Sequence, residues 1–135
     1  MAIPVGKLKG MSAQLAKIVR QQGITNSDQY LAAVKTKAQR KALAQMAGVD
    51  EATVREAGNR ADLNRISGIG GVYSDLLEVA GVDTVAELKN RNAANLHAKM
   101  TEVNAEKNLT KRVPPLSLVE TWVATAKTME RGMEY

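Results

Sequence analysis

The amino-acid sequence predicts an all-α protein, a compact bundle of short helices that forms a single domain. Its 135 residues, 44% of them hydrophobic, are enough to bury a substantial core. Apolar residues recur at helical spacing in several segments, and no segment has the strict alternation of a β-strand. With one Trp, three Tyr and no Phe, the core must be aliphatic and rich in alanine, which favours closely packed small helices.

Two helices are predicted in the second quarter of the chain. Thr36 to Ala47 forms one of them, and Gly48 is expected to stop it, because glycine readily takes the left-handed conformation that ends a helix. Asp50 is expected to cap the next helix, which runs toward Leu63. Three polar residues near its end are expected only to cap and solvate it: Asn59, Arg60 and Asp62.

A glycine-rich turn, Ser67 to Gly71, divides the chain near its middle. Glycine costs about 1 kcal/mol relative to alanine in a helix interior but tolerates the positive φ angles of a tight turn, so the preceding helix must end near Ile66. A short amphipathic helix follows the turn, with Val72, Leu76 and Leu77 in its apolar stripe and Val79 and Ala80 beside them. Gly81 is expected as its left-handed C-cap. Thr84 and Glu87 then match a T-x-x-E capping box, which opens another helix.

Two more helices are predicted in the last third of the chain, and together with those of the N-terminal segment the total is about eight. Asn92 is expected to cap the first of them. A loop over residues 108–115 follows, since its prolines disfavour helix. Ser117 and Glu120 match a second capping box, and Trp122 lies in the apolar stripe of the final helix, where we expect it to pack in the core.

The N-terminal half reads as a degraded copy of the central stretch, displaced by 58 residues. Two repeats are therefore predicted within the single domain 1–135: residues 5–63 and residues 64–131. One extra residue is inferred in the first copy, so that Tyr30 pairs with Glu87. Ser12 replaces the second glycine, which predicts a less permissive turn. The first copy has Val5, Leu8, Gly10, Met11, Ser12, Ala16 and Val19 at the positions of Leu63, Ile66, Gly68, Ile69, Gly70, Ser74 and Leu77.

This pattern of apolar, glycine and small residues resembles the helix-hairpin-helix motif. In that family the two glycines let the hairpin backbone approach a nucleic-acid phosphate, and the small residue lets the two helices pack closely. DNA-binding members usually carry Lys or Arg just after the second glycine. Here Gly71, Val72 and Tyr73 follow it, and then the acids Asp75 and Glu78, so the second hairpin departs from the phosphate-binding pattern.

The net charge of +5 is unevenly distributed. Residues 1–63 hold ten Lys and Arg against five acids, whereas residues 64–135 hold nine of each. The first repeat is therefore basic and the second neutral, and any attraction for an anionic partner should lie in the first. In the helix after the first hairpin, Lys17 and Arg20 take the places of Asp75 and Glu78.

About nine tenths of the chain also resembles an uncharacterised family, a domain of unknown function that is built of paired helix-hairpin-helix units and is frequent in photosynthetic bacteria. Residues 61–104 and 112–127 carry this resemblance. It implies a tandem helix-hairpin-helix fold. It implies no activity, because none is established for the family.

Catalysis and cofactor binding find little support in the sequence. No cysteine is present and His97 is the only histidine, so neither a thiol nucleophile nor a recognisable nucleophile–base pair exists. The glycine-rich turn lacks the G-K-[ST] ending of a P-loop, and the acids are scattered rather than grouped as metal ligands. We therefore expect no enzyme, no catalytic residues, no metal, no cofactor and no small-molecule substrate. The chain has no apolar run long enough to span a membrane and nothing like a signal peptide, so a cytoplasmic protein without membrane insertion is expected.

Two binding functions remain as expectations. A protein-interaction or assembly module, which presents a helix face to an unknown protein partner, is favoured because it tolerates a neutral second repeat. The alternative is sequence-nonspecific nucleic-acid binding through the hairpin backbone and the basic first repeat. The candidate residues for that alternative are Lys7, Lys9, Gly10, Ser12, Lys17, Arg20, Gly68 and Gly70.

Overall fold

The computed structural model describes residues 2–135, and within them the chain is all-helical, as predicted. This part of the chain contains no β-strand; one isolated bridge joins Pro4 to Asn26. A 3₁₀ turn at Val5–Lys7 precedes eight α-helices: α1 (Ala13–Gln21), α2 (Ser27–Ala33), α3 (Lys37–Ala47), α4 (Glu51–Leu63), α5 (Gly71–Val79), α6 (Val85–Leu88), α7 (Ala93–Lys107) and α8 (Leu116–Lys127).

Polar caps and left-handed glycines set most helix boundaries. Thr36, Thr84 and Asn92 each accept a hydrogen bond from the first turn of the helix that they precede. Gly48, at φ 67°, ends α3, and Gly81, at φ 97°, follows α5. The caps predicted at Gly48, Gly81, Thr84 and Asn92 are confirmed, whereas Thr36, predicted as the first residue of a helix, is the N-cap of α3.

Two predicted caps differ from the structure. Asp50 lies at the N-cap position of α4 but makes no capping hydrogen bond with its side chain. The capping box of Ser117 and Glu120 is wrong, because α8 begins at Leu116, directly after Pro115. Pro115 is extended, with a ψ of 156°, and its carbonyl accepts from the amides of Leu118 and Val119, so the helix begins before Ser117, which then lies inside the first turn.

The apolar side chains form two cores. The first core comprises Val5, Leu8, Leu15, Val19, Tyr30, Leu31, Val34, Leu43, Ala44, Ala47, Val54, Ala57, Ala61 and Met133. The second core comprises Leu63, Ile66, Ile69, Leu76, Leu77, Ala80, Val82, Val85, Leu88, Leu96, Met100, Val103, Val119, Trp122, Val123 and Ala126. Each core thus lies largely within one predicted repeat, and Trp122 is buried in the second as expected.

Local structure recurs at the spacing of 58 residues. Helices α1 and α5 both have nine residues and begin at Ala13 and Gly71. The spacing persists beyond them, because Asn26 caps α2 as Thr84 caps α6. Tyr30 therefore corresponds to Leu88, and both side chains are fully buried. The inferred extra residue, which paired Tyr30 with Glu87, is wrong.

Helix α4 and the C-terminal segment join the two halves. Helix α4 packs against α2 and α3 in the first half and against α5 in the second. After α8 the chain returns to the first half, where Met133 is buried in the first core and the Glu134 amide donates to the Lys35 carbonyl at 2.7 Å. The C-terminal residues thus complete the first core, although the helices that precede them, α7 and α8, pack in the second core.

Candidate functional site

The first hairpin, residues 8–12, is pressed against α4. The Met11 amide closes its turn by donating to the Leu8 carbonyl at 3.1 Å. Gly10 has a φ of 80°, and a Cβ at this position would lie 3.0 Å from Cγ of Glu56 and 3.2 Å from the backbone nitrogen of Ala57. Glycine is therefore required at Gly10 both by the turn and by the close approach of α4.

Ser12 is a helix cap, which the sequence analysis did not foresee. Its hydroxyl accepts from the Leu15 amide at 3.1 Å and so satisfies one of the free N–H groups at the start of α1. Its φ is −78°, and the φ of Gly70, the matching residue in the second hairpin, is −102°. The expectation that serine makes the first turn less permissive is wrong, because neither residue needs a positive φ.

The second hairpin, residues 66–70, has the same turn, but no side chain caps the helix that follows it. Gly68 has a φ of 93°, and a Cβ there would lie 3.3 Å from the indole nitrogen of Trp122. No side chain caps α5, whose N-cap residue is Gly70. A Cβ at Gly70 would have no neighbour within 4 Å, so neither the turn nor the packing requires glycine at this position.

A lysine from the first hairpin lies against the second. The Lys9 stem covers Gly71, where a Cβ would lie 3.1 Å from Cε of the lysine. Its ammonium is 3.3 Å from Oδ2 of Asp75. The second hairpin, which lacks a basic residue of its own after Gly70, therefore has a cation supplied by the first repeat.

Arg60 forms ion pairs with the two acidic residues of α5, Asp75 and Glu78. Its side chain is 9% exposed; Nε donates to Oε1 of Glu56 at 3.0 Å and to Oε2 of Glu78 at 2.9 Å. Nη1 donates to Oδ1 of Asp75 and, at 3.1 Å, to the hydroxyl of Ser74. The small residue of the hairpin pattern is thus part of a polar cluster, which we call the Arg60 cluster: Arg60, Glu56, Ser74, Asp75 and Glu78.

The polar residues before the turn are buried rather than solvated. Asn59, Arg60 and Asp62 are 7%, 7% and 2% exposed, so the expectation that they only cap and solvate a helix end is wrong. Asp62 accepts from the backbone amide of Val85 at 2.9 Å, at the start of α6, and from Arg65 at 2.6 Å. These residues connect α4 to the second half of the chain.

The Arg60 cluster brings two carboxyl groups close together and separates their pKa values. Burial, followed by the hydrogen bond and the charge of Glu78, raises the pKa of Glu56 from its ordinary value of 4.5 to about 7. The hydrogen bond from Glu56 lowers the pKa of Glu78, which burial alone would raise. Near neutral pH the pair therefore shares a proton, which Glu56 holds.

The remaining candidate residues are exposed and only partly brought together. Lys7, Lys17 and Arg20 are all at the surface, and no ion pair holds any of them within residues 2–135. The Arg20 guanidinium lies against Gly6, in the 3₁₀ turn that also holds Lys7. Lys9 alone reaches the second hairpin, and Lys17 remains on the outer side of α1.

The exposed apolar face of α5 differs from the sequence prediction, which places Val72 in the apolar stripe of this helix with Val79 beside it. Val72 is 46% exposed and Val79 is 38% exposed, two helical turns apart. The residues 58 positions earlier, at the same points of α1, are Gln14 and Gln21. The duplication itself carried this signal, because apolar residues replace glutamines at matching surface positions.

His97 lies half-buried on α7, and residues 2–135 hold no group of three or more side chains placed to bind a metal ion. None of the described helices is long and apolar enough to cross a membrane.

Comparison with known families supplies one match. Residues 9–129 match the model of a family described as a domain of unknown function, DUF4332. The chain belongs to this family. The match includes the first hairpin from Lys9 onward, the whole second hairpin, the Arg60 cluster and α8, and it ends before Met133. No curated protein and no solved structure matches the chain.

Proposed function

We propose that the chain is a non-enzymatic module that binds a protein partner through the exposed face of α5. The carrying observation is the pair Val72 and Val79, which lie on one face of α5 and are 46% and 38% exposed. At the matching position of the first repeat, the side-chain amide of Gln14 donates a hydrogen bond to the Ala47 carbonyl at the end of α3. Val72 has no such role within the fold, which leaves it available to a partner.

The surroundings of the two valines support an interface. The side chains of Asp75 and Glu78 are 27% and 33% exposed beside them, and Arg60 fixes both. Asp75 is three residues after Val72 and four before Val79, so it lies between them on the same helix face, and protein interfaces combine such apolar and polar contacts. Because the carboxylates are already ordered, a partner loses little side-chain entropy at this rim.

The test replaces the α5 face with that of the first repeat. Val72→Gln with Val79→Gln copies Gln14 and Gln21, and Met46→Gln on α3 removes another exposed apolar side chain, 56% exposed, as a control. Tagged wild type and variants are compared by quantitative affinity capture from cells that make the protein, with light scattering to measure self-association. We expect a partner, or a dimer, that the wild type and Met46→Gln retain and the double variant loses. Identical capture and identical mass for all three proteins would contradict the proposal.

A second candidate is nucleic-acid binding at the start of α5. The first N–H groups of α5 have no side-chain cap, the space beside Gly70 is open, and Lys9 lies on Gly71. Free helix N–H groups with a nearby cation suit a phosphate. Arg60 and Lys9 also offset much of the negative charge of α5 that the sequence placed beside this hairpin.

Fluorescence anisotropy of labelled duplex and single-stranded DNA tests this candidate at low and near-physiological salt. Binding through phosphates requires the logarithm of the affinity to fall linearly with the logarithm of the salt concentration. Lys9→Glu reverses the cation that lies on Gly71 and should weaken binding at the start of α5 directly. Lys17→Glu with Arg20→Glu should abolish the binding if the exposed face of the first repeat also contacts the phosphates, and Lys111→Glu with Arg112→Glu, an exposed pair before α8, controls for net charge. Equal affinity in the two double variants would remove the first repeat from the nucleic-acid site.

A further inference from the structure

Arg40 is a buried cation without an acidic partner. Only 5% of its surface is exposed. Its guanidinium is held by backbone carbonyls: Nη1 donates to Val34 at 2.8 Å and to Lys35 at 3.0 Å, and Nη2 donates to Glu134. Within residues 2–135 no carboxylate oxygen lies within 4.0 Å of it. Since a buried charge is unfavourable without a counter-charge, Arg40 calls for an anion that the chain does not supply.

Arg40 forms part of the wall of a cavity of about 220 Å³. The other lining residues are Lys37, Glu51, Arg55 and Tyr135. Three cationic side chains and one carboxylate side chain give the side chains of this wall a formal charge of +2. In the described chain neither Lys37 nor Arg55 makes an ion pair, so the chain does not neutralise the positive charge of the cavity.

Part of the Arg40 guanidinium remains available to a ligand. Of its five N–H donors, three are used by the carbonyls, which leaves Nε–H and one N–H of Nη2 without an acceptor in residues 2–135. The Tyr135 ring covers one face of the guanidinium, with its centroid 5.5 Å from Cζ, and the Tyr135 hydroxyl donates to Oδ1 of Asn59 at 2.6 Å. The guanidinium is thus fixed in place, and a fixed arginine fork suits an oxyanion.

We propose that this cavity binds a small phosphate monoester, with Arg40 as the residue that bonds the phosphate oxygens. A phosphate monoester carries a charge of about −1.5 to −2 at neutral pH, which matches the wall, whereas a single carboxylate carries only −1. The cavity is smaller than the roughly 300–1,000 Å³ of pockets for drug-sized ligands. The ligand is therefore a phosphate on a few carbon atoms rather than a whole nucleotide.

Titration of ¹⁵N-labelled protein with glycerol 2-phosphate at constant ionic strength tests the proposal. The Nε resonance of Arg40 and the amide resonances of Lys37 and Glu51 report on the cavity. We expect these resonances to shift saturably, with a Kd of about 1 mM or below. The double variant Lys37→Gln with Arg55→Gln changes two exposed side chains and should bind at least about tenfold more weakly. Lys41→Gln removes an exposed charge from the same helix outside the cavity and should bind as the wild type does.

Arg40→Lys sharpens the test, because it keeps the charge and removes the fork. Where circular dichroism shows that this variant folds, it should also bind at least about tenfold more weakly; where it does not fold, the double variant decides. Three results would overturn the proposal: shifts that do not saturate, equal weakening by Lys41→Gln, or acetate binding as tightly as glycerol 2-phosphate. Tighter binding of single-stranded DNA at the same resonances would also overturn it, since the cavity would then be a nucleic-acid contact.

Discussion

Helices α1 and α5 share a backbone and differ in the surface that they present. Both have nine residues, both follow a turn with a left-handed glycine, and both bury two matching positions, Ala16 with Ser74 and Val19 with Leu77. On the outside α1 carries Gln14, Lys17 and Gln21, and α5 carries Val72, Asp75 and Val79. The shared positions are those that the turn and the core require, so binding functions must be sought in the positions that differ.

The hairpins differ in the same instructive way. The left-handed glycine is present in both, at Gly10 and Gly68, because both turns require a positive φ. The second position of the motif is free to vary, and there Ser12 caps its helix while Gly70 leaves α5 uncapped. The two repeats therefore distinguish a glycine that the fold needs from a glycine that it does not.

The largest effect is expected from Arg60→Met, which removes the centre of the cluster between the repeats. Three carboxyl groups then lose their common partner. Breaking a buried ion pair costs about 3–5 kcal/mol, and we expect about 2–3 kcal/mol here because the carboxylates are roughly one-third exposed. Urea denaturation measures the loss in the free energy of unfolding. Arg55→Met, an exposed residue of the same helix without an ion pair, should change that free energy by about 0.5 kcal/mol or less.

An intermediate effect is expected from alanine at the left-handed glycines. Gly23→Ala isolates the backbone term, because its φ is 82° and a Cβ there would meet nothing within 4 Å; the cost should be about 1–2 kcal/mol. Gly68→Ala adds a close contact between the new methyl group and the Trp122 side chain. Gly10→Ala adds a close contact with the backbone of α4, which can move less than a side chain can.

Denaturation of the three variants should therefore rank Gly10→Ala as the most destabilising, then Gly68→Ala, then Gly23→Ala. Gly70→Ala is the matched control, because its φ of −102° suits alanine and its surroundings are open. A loss at Gly70→Ala as large as that at Gly68→Ala would show that the two glycines of the motif are equivalent after all.

A smaller effect is expected from pH. The folded state raises the pKa of Glu56 to about 7, so between the ordinary value of 4.5 and about 7 the folded state binds more protons than the unfolded state. The contribution of this group to stability is present at low pH and is lost as the pH rises through about 7. Glu56→Gln mimics the protonated form and should flatten the fall in the free energy of unfolding between pH 5 and pH 8.

The control for the pH experiment is Glu106→Gln, which removes one exposed carboxylate from α7 without touching the Arg60 cluster. It should keep the wild-type dependence on pH. An unchanged slope in Glu56→Gln would instead show that Glu56 and Glu78 do not share a proton in the folded chain.

Local signals made most of the fold predictable. Helical spacing, N-cap residues and left-handed glycines act within a few residues, which is why Gly48, Gly81 and Asn92 could be assigned from the sequence. Ser117 failed for an equally local reason, since Pro115 starts α8 first. Where two local signals compete, residue type alone does not decide between them.

The interactions that connect distant segments could not be predicted in this way. Arg60 and Asp75 are 15 residues apart, and Lys9 and Asp75 belong to different repeats. Met133 lies close in sequence to α8 but is buried in the first core. Charged residues in a helix usually face water, so nothing nearby marked Arg60 as buried, and Arg40 escaped notice for the same reason. The candidate site was therefore predicted as two hairpins, and not as one hairpin completed by a lysine from the other.

The smallest change, Gly70→Ser, converts the second hairpin into the form of the first. A serine at this position should cap α5 as Ser12 caps α1. The free energy of unfolding should then rise by about a few tenths of a kcal/mol, which is the usual difference between serine and glycine at an N-cap. The same hydroxyl would occupy an N–H group that a phosphate needs at the start of α5. If α5 binds nucleic acid, anisotropy should therefore record weaker binding by a more stable protein, and Gly70→Ala should separate the cap from the added bulk. If binding to DNA is unchanged while the stability rises, the free start of α5 is not the phosphate site, and the valine face of the same helix remains as its distinguishing feature.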